Sequence, residues 1–139
     1  MIAKNVTYVD FNDVERTETF YFNMTEAEIS AWEMSVEGGM SKKIEAITAA
    51  KDVKELAQLF ADVLDRSYGR KSPDGRRFDK NPEILADFKA TKAYSDIYMS
   101  LATDAEKATE FLNALIPKNR RAAAAPVTTA NAIALNNAQ

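Results

Sequence analysis

Histidine and cysteine are both absent, so the groups left for chemistry are carboxylates, lysines, arginines, tyrosines and hydroxyls. Thiol nucleophiles, imidazole bases, disulfides and Cys/His zinc sites are thereby excluded. Among what remains, the acid pairs Glu26/Glu28 and Asp104/Glu106 could in principle form a carboxylate dyad or a magnesium site. Each pair directly follows a threonine, in Thr25-Glu26-Ala27-Glu28 and Thr103-Asp104-Ala105-Glu106. Acids there belong to capping boxes and to the helix dipole. Gly38-Gly39 lacks the GxxxxGK[ST] frame of a phosphate loop and reads as a helix break. Trp32, Tyr94 and Tyr98 could stack a ligand, but aromatic residues at helical spacing are the ordinary furniture of a core. No catalytic, cofactor or metal residue is assigned.

The strongest local charge feature is basic: Arg66, Arg70, Lys71, Arg76, Arg77 and Lys80, gathered around Pro73-Asp74-Gly75. At a turn tip such a cluster can contact a protein surface, contact phosphate, or simply be solvated. Its aromatic interleaving is limited to Tyr68 and Phe78, which disfavours nucleic acid. The overall balance points the same way. The chain has 18 bases and 21 acids, a net charge of −3. Three of the bases, Lys118, Arg120 and Arg121, and none of the acids lie beyond residue 117, so residues 1–117 carry 15 bases against 21 acids, a net of −6. An acidic body does not coat DNA. The candidate partner-binding residues are Arg70, Lys71, Asp74, Arg76 and Arg77 at the turn, with Lys118, Arg120 and Arg121 after it.

The elements that must position them follow from periodicity and punctuation. Residues 1–22 alternate β-branched and aromatic residues around Asp10-Phe11-Asn12-Asp13, the pattern of a β-hairpin with an Asx-rich turn. Phe20 and Phe22 point to one face and Tyr21 to the other, so something apolar must cover the first face. An edge of that hairpin can recruit another strand, or can merely be blunted by Lys4, Asp13 and Glu15.

Helix-start signals then recur. Thr25 opens a short helix to about Met34 with Ile29 and Trp32 inward, and Ser41 caps a second carrying Ile44 and Ile47. Asp52 opens the clearest one, with Val53, Leu56, Phe60, Val63 and Leu64 on one stripe. After a turn with short flanking strands near residues 68–79, Asn81-Pro82 restarts helix with Ile84, Leu85 and Phe88 buried. Tyr94, Ile97, Tyr98 and Leu101 mark the next segment, and Thr103 caps a last one with Ala108, Phe111, Leu112 and Leu115 inward before Pro117. The expectation is an α+β, mostly α fold: an N-terminal hairpin packed on about five short helices, as one domain over 1–117. Residues 118–139, rich in alanine and free of acids and aromatics, read as a flexible tail. MIAKNVTYVD has no signal-peptide core and no run is long enough to span a membrane, so the product is expected to be soluble and intracellular.

Four ordered segments resemble one family. ERTETFYFNMTEAEI at 15–29, VEGGMSKKI at 36–44, SYGRKSPDGRRF at 67–78 and AYSDIYMSLATDAEKATEFLNALIP at 93–117 are similar to the tail assembly chaperones of long-tailed (siphovirus-type) bacteriophages and prophages. The resemblance covers residues 4–117. It implies a small, largely helical, non-enzymatic protein without cofactors that binds the tape measure protein, keeps it soluble and helps recruit tail tube protein. It also implies action in the host bacterial cytoplasm, absence from the mature virion, possible homo-oligomers and, in some members, a longer frameshifted form. The competing readings are a permanent virion component, such as a head-tail connector or tail-completion protein, and a nucleic-acid-binding regulator.

Overall fold

The computed structural model describes residues 1–116. Lys118, Arg120, Arg121 and the expected tail lie outside them. Two strands, β1 (Ile2–Val9) and β2 (Glu15–Phe22), precede α1 (Glu26–Ser35), α2 (Met40–Ala50) and α3 (Val53–Ser67). Strands β3 (Tyr68–Lys71) and β4 (Phe78–Asp79) follow, and α4 (Pro82–Lys89), α5 (Lys92–Thr103) and α6 (Ala105–Leu115) complete the described chain. The fold is α+β and mostly α, with six helices among the described residues. None of the described helices is long and apolar enough to cross a membrane.

The hairpin forms because Asp10 organises its own turn. Its Oδ1 accepts from the N–H groups of Asn12 and Val14, and Asp13 takes the left-handed conformation at φ 61°. Arg16 Nε then donates to Asp10 Oδ2 at 2.6 Å. With this arginine beside it and two N–H groups on it, the Asp10 carboxyl is held down at about 2. The turn sets a register in which Ile2, Lys4, Val6 and Tyr8 share a face with Phe22, Phe20, Glu18 and Arg16. At the base of the hairpin that face meets the core; toward its tip Val9, Phe11 and Val14 are exposed.

The core centres on Phe88 of α4. Its ring stacks on Tyr68 at 3.9 Å and 13°, meets Tyr94 edge-on at 5.2 Å, and lies 5.4 and 5.9 Å from Phe20 and Phe22. Phe22 also meets Phe111 of α6 edge-on at 5.4 Å, so the two rings expected on one strand face are the ones the helices cover. Trp32, Ile29, Ile44, Ile47, Phe60, Val63, Leu64, Ile97, Leu101, Phe111, Leu112 and Leu115 also belong to it.

Helix starts agree with the caps except at two places. Thr25 and Glu28 form the full reciprocal box, Asp52 accepts from Lys54 and Glu55, and Asn81 accepts from Ile84 ahead of Pro82. Ser41 is not a cap. α2 begins at Met40 after Gly39, whose φ of 93° belongs to glycine, and Gly39 has no side chain to cap with. The cap comes from another helix: Glu33 of α1, only 4% exposed, accepts from the Ser41 N–H at 2.9 Å and the Ser41 hydroxyl at 3.0 Å. The φ of Gly39 favours glycine, and a Cβ there would stand 2.4 Å from Glu33 Oε1 and force the capping carboxylate to shift. Nor does Thr103 cap α6; it is the last residue of α5, and Asp104 accepts from the N–H groups of Glu106 and Lys107. Aspartate satisfies two orphan donors where the threonine would satisfy one. Val53 also departs from expectation: it is 77% exposed, because the first residue of α3 lies ahead of the turn that meets the core.

Candidate partner-binding surfaces

The expected hairpin is the first half of a four-stranded antiparallel sheet, β1-β2-β3-β4, in which β1 keeps its outer edge. β3 covers only the base of β2, pairing Phe22 with Tyr68 and Tyr21 with Gly69. Had this register continued, the next bonding pairs would be Thr19 with Lys71 and Thr17 with Pro73. Proline has no N–H to give, and β3 turns instead toward β4, with Arg70 opposite Asp79 and Lys71 opposite Phe78. Gly69 permits that approach, since a Cβ there would lie 2.5 Å from the Phe78 ring. The divergence opens a cleft of about 720 Å³ between distal β2 and the Ser72–Gly75 turn. Phe20, Tyr68 and Phe88 floor it; Glu18, Thr19, Arg70, Lys71, Asp74 and Asp87 are on its walls.

Three sequence-predicted site residues, Arg70, Lys71 and Asp74, therefore share one cleft. Arg70 pairs with Asp87 across the wall. Lys71 Nζ lies 4.4 Å from the Tyr21 ring centroid. Asp74 serves its own turn, accepting from the Ser72 hydroxyl at 2.6 Å and the Arg76 N–H at 3.1 Å, bonds that hold its carboxyl below the usual range. Arg76 and Arg77 are outside the cleft lining; Arg77 Nε donates to Asp79 at 3.1 Å. Two members of the basic cluster are structural. Lys80 Nζ donates to the carbonyls of Asn23 and Arg66 and to Glu28 Oε2, each at 2.7 Å, tying the start of α1 to the end of α3. Burial alone would raise Glu28, but the bonds from Lys80 and Thr25 outweigh it and leave its carboxyl lowered. Arg66 pairs with Asp62 and lies 4.7 Å from the Trp32 ring centroid. Trp32 lines the concavity between α1–α2 and α3, which neither Tyr94 nor Tyr98 lines, while the two tyrosines stack on each other at 6.1 Å.

A second concavity, of about 370 Å³, lies between α1–α2 and α3. Trp32, Val36, Met40, Ile44, Ile47 and Leu59 floor it, while Lys43, Glu55, Gln58, Asp62 and Arg66 rim it. Sequence reasoning turned Trp32, Ile44 and Ile47 inward without seeing that they also floor a groove, and it did not single out Val36, Met40 or Leu59. The readable signal is the double glycine, whose positive φ values separate α1 from α2. Among the described residues no group of three or more His, Cys, Asp or Glu is placed to hold a metal ion. Glu28 and Asp104, one acid from each suspected dyad, are engaged in caps.

What the geometry defines is a small α+β domain with an open strand edge on one side and, on another, a helix-lined groove of mixed polarity over the core. The chain belongs to the phage tail assembly chaperones: the model of that family matches residues 1–134. No curated protein and no solved structure matches it.

Proposed function

We infer that the chain binds the tape measure protein, keeps it soluble and helps recruit tail tube protein during tail morphogenesis, without catalysis or cofactor. It acts in the host bacterial cytoplasm and does not remain in the mature virion. Family membership across residues 1–134 supports this reading, and the observation that carries it to a surface is the groove of α1, α2 and α3. An apolar floor of six side chains inside a rim of both charge signs matches the way an amphipathic helix is held. A tape measure protein is a long helical chain whose apolar stripes are uncovered until the tube encloses it. Covering such a stripe needs reversible contact and no fuel, and the acidic balance of residues 1–117 keeps the resulting complexes apart and soluble.

Co-expression of the chain with the tape measure and tail tube proteins of the same phage, followed by size-exclusion chromatography with light scattering, tests it. The expected result is a soluble complex containing a tape measure protein that aggregates when expressed alone. Unchanged tape measure solubility and no complex would overturn the reading. Peptides of this chain in salt-washed virions would instead support a permanent structural role.

A further inference from the structure

Distal β2 carries a pattern that complements itself. In an antiparallel strand, backbone groups point alternately to the two neighbours. Asp10 and Val14 bond across the hairpin, so the even residues of β2 face β1, and the Asn23 N–H bonds outward to Ser67. The N–H and C=O groups of Glu15, Thr17 and Thr19 therefore point away from β1, into the gap that β3 vacates beyond Tyr21. All three residues are exposed.

We propose that two copies of this chain associate by antiparallel pairing of β2 with β2 about a two-fold axis at Thr17. This register places Arg16 opposite Glu18 of the second copy, twice, and Phe20 opposite Val14, twice, all on the core-side face. On the other face Thr17 meets itself and Glu15 meets Thr19. The pairing leaves no like charges opposed. Moving the axis by one residue sets Arg16 against Arg16 or Glu18 against Glu18, so charge selects a single register. Arg16 uses only Nε on Asp10, and Glu18 uses only Oε1 on Tyr8, so each keeps a group to offer. The arrangement also accounts for an exposed apolar tip: Val14 is 55% and Phe11 72% exposed, and pairing carries them into the cleft of about 720 Å³ floored by Phe20, Tyr68 and Phe88. The interface is isologous and closes at two copies.

The full chain contains no cysteine, which makes the test specific. In the proposed dimer the two Thr17 residues form a narrow hydrogen-bonded pair with Cα atoms about 5.5 Å apart, inside the range a disulfide spans. Under mild oxidation T17C should become a covalent dimer, while T7C, on the outer edge of β1, should not. Light scattering over a concentration series should approach twice the 15.4 kDa of the chain. R16E and E18R should each shift the series back to the monomer mass, and the double variant R16E/E18R should restore the dimer because the exchanged charges meet again. The double variant separates loss of pairing from loss of folding. A chain at 15.4 kDa throughout, T17C cross-linking no faster than T7C, or a double variant as monomeric as the single ones would overturn the proposal. The inference is independent of the chaperone reading: a client-binding monomer would support that reading and defeat this one.

Discussion

The cleft beside β2 and the groove between α1–α2 and α3 are both concave and partly apolar, but they are bounded by different groups. The cleft is walled on one side by strand backbone whose hydrogen-bonding groups at Glu15, Thr17 and Thr19 face outward, and on the other by a turn that satisfies itself. The groove is walled by helices, whose backbone groups are spent internally, so it offers only side chains. A strand can be added to the first and a helix laid in the second. What separates the two is therefore hydrogen-bond supply, more than size or charge.

The largest effect comes from the floor of the cleft, because that floor is also the centre of the core. Phe88 is 1% exposed and contacts four aromatic rings, so Phe88→Ala should destabilise by about 3–5 kcal/mol. Chemical denaturation checks this, and a loss below about 1 kcal/mol would show that the cleft floor is separable from the core.

The groove depends on a smaller and more local device. Glu33→Ala leaves the start of α2 without its cap, at a cost of about 1–3 kcal/mol, and should loosen the α2 wall of the groove while leaving the cleft unchanged. Hydrogen exchange resolves the two: faster exchange is expected for the Ser41 and Lys42 amides, with no change at Tyr21 and Gly69.

Much of this was legible in the sequence, and the part that was not has a common cause. Thr25, Asp52 and Asn81 announce their helices because a cap acts within three residues of itself. Phe20-Tyr21-Phe22 shows which strand face is buried because alternation is equally local. The groups that shape the two concavities act over longer separations. Glu33 caps a helix eight residues on, Lys80 ties Asn23 to Arg66, and Tyr21 pairs with Gly69. Pro73 ends that pairing, yet its meaning depends on a register no local pattern contains. The basic cluster was visible as composition, but not that Arg66 and Lys80 are committed to Trp32, Asp62, Glu28 and main-chain carbonyls, leaving Arg70 and Lys71 at the cleft.

Two pH responses probe the hairpin beside the cleft without touching the groove. The Tyr8 hydroxyl, bonded to Glu18 and buried, is pushed up to about 12 from 10.0. A folded-state value above the unfolded one means that this contribution is complete below pH 10 and is lost as pH rises from there through 12. Tyr94 is also raised, by burial and by the nearby Asp65, so the Tyr8 transition in an absorbance titration is the late one that Glu18→Gln returns toward 10. Asp10 behaves in the opposite sense. Its carboxyl lies at about 2 against an ordinary 3.8, so its contribution is complete above that value and is lost as pH falls from 3.8 through 2. NMR titration of Asp10, with and without Arg16→Ala, reads it directly.

The smallest effects belong to the exposed arginines outside both surfaces. Arg76→Ala and Arg77→Ala should each change stability by less than about 0.5 kcal/mol, because their ion pairs are solvent-exposed.

Trp32 is the single tryptophan of the chain and lines the groove. It is 4% exposed and its ring is covered by Arg66 on the groove rim, so its emission reports a client that displaces that arginine. When the chain is mixed with a tryptophan-free segment of the tape measure protein, a soluble complex with a shifted Trp32 emission is expected. A soluble complex whose emission matches that of the chain alone would contradict the assignment of the groove to the helical client.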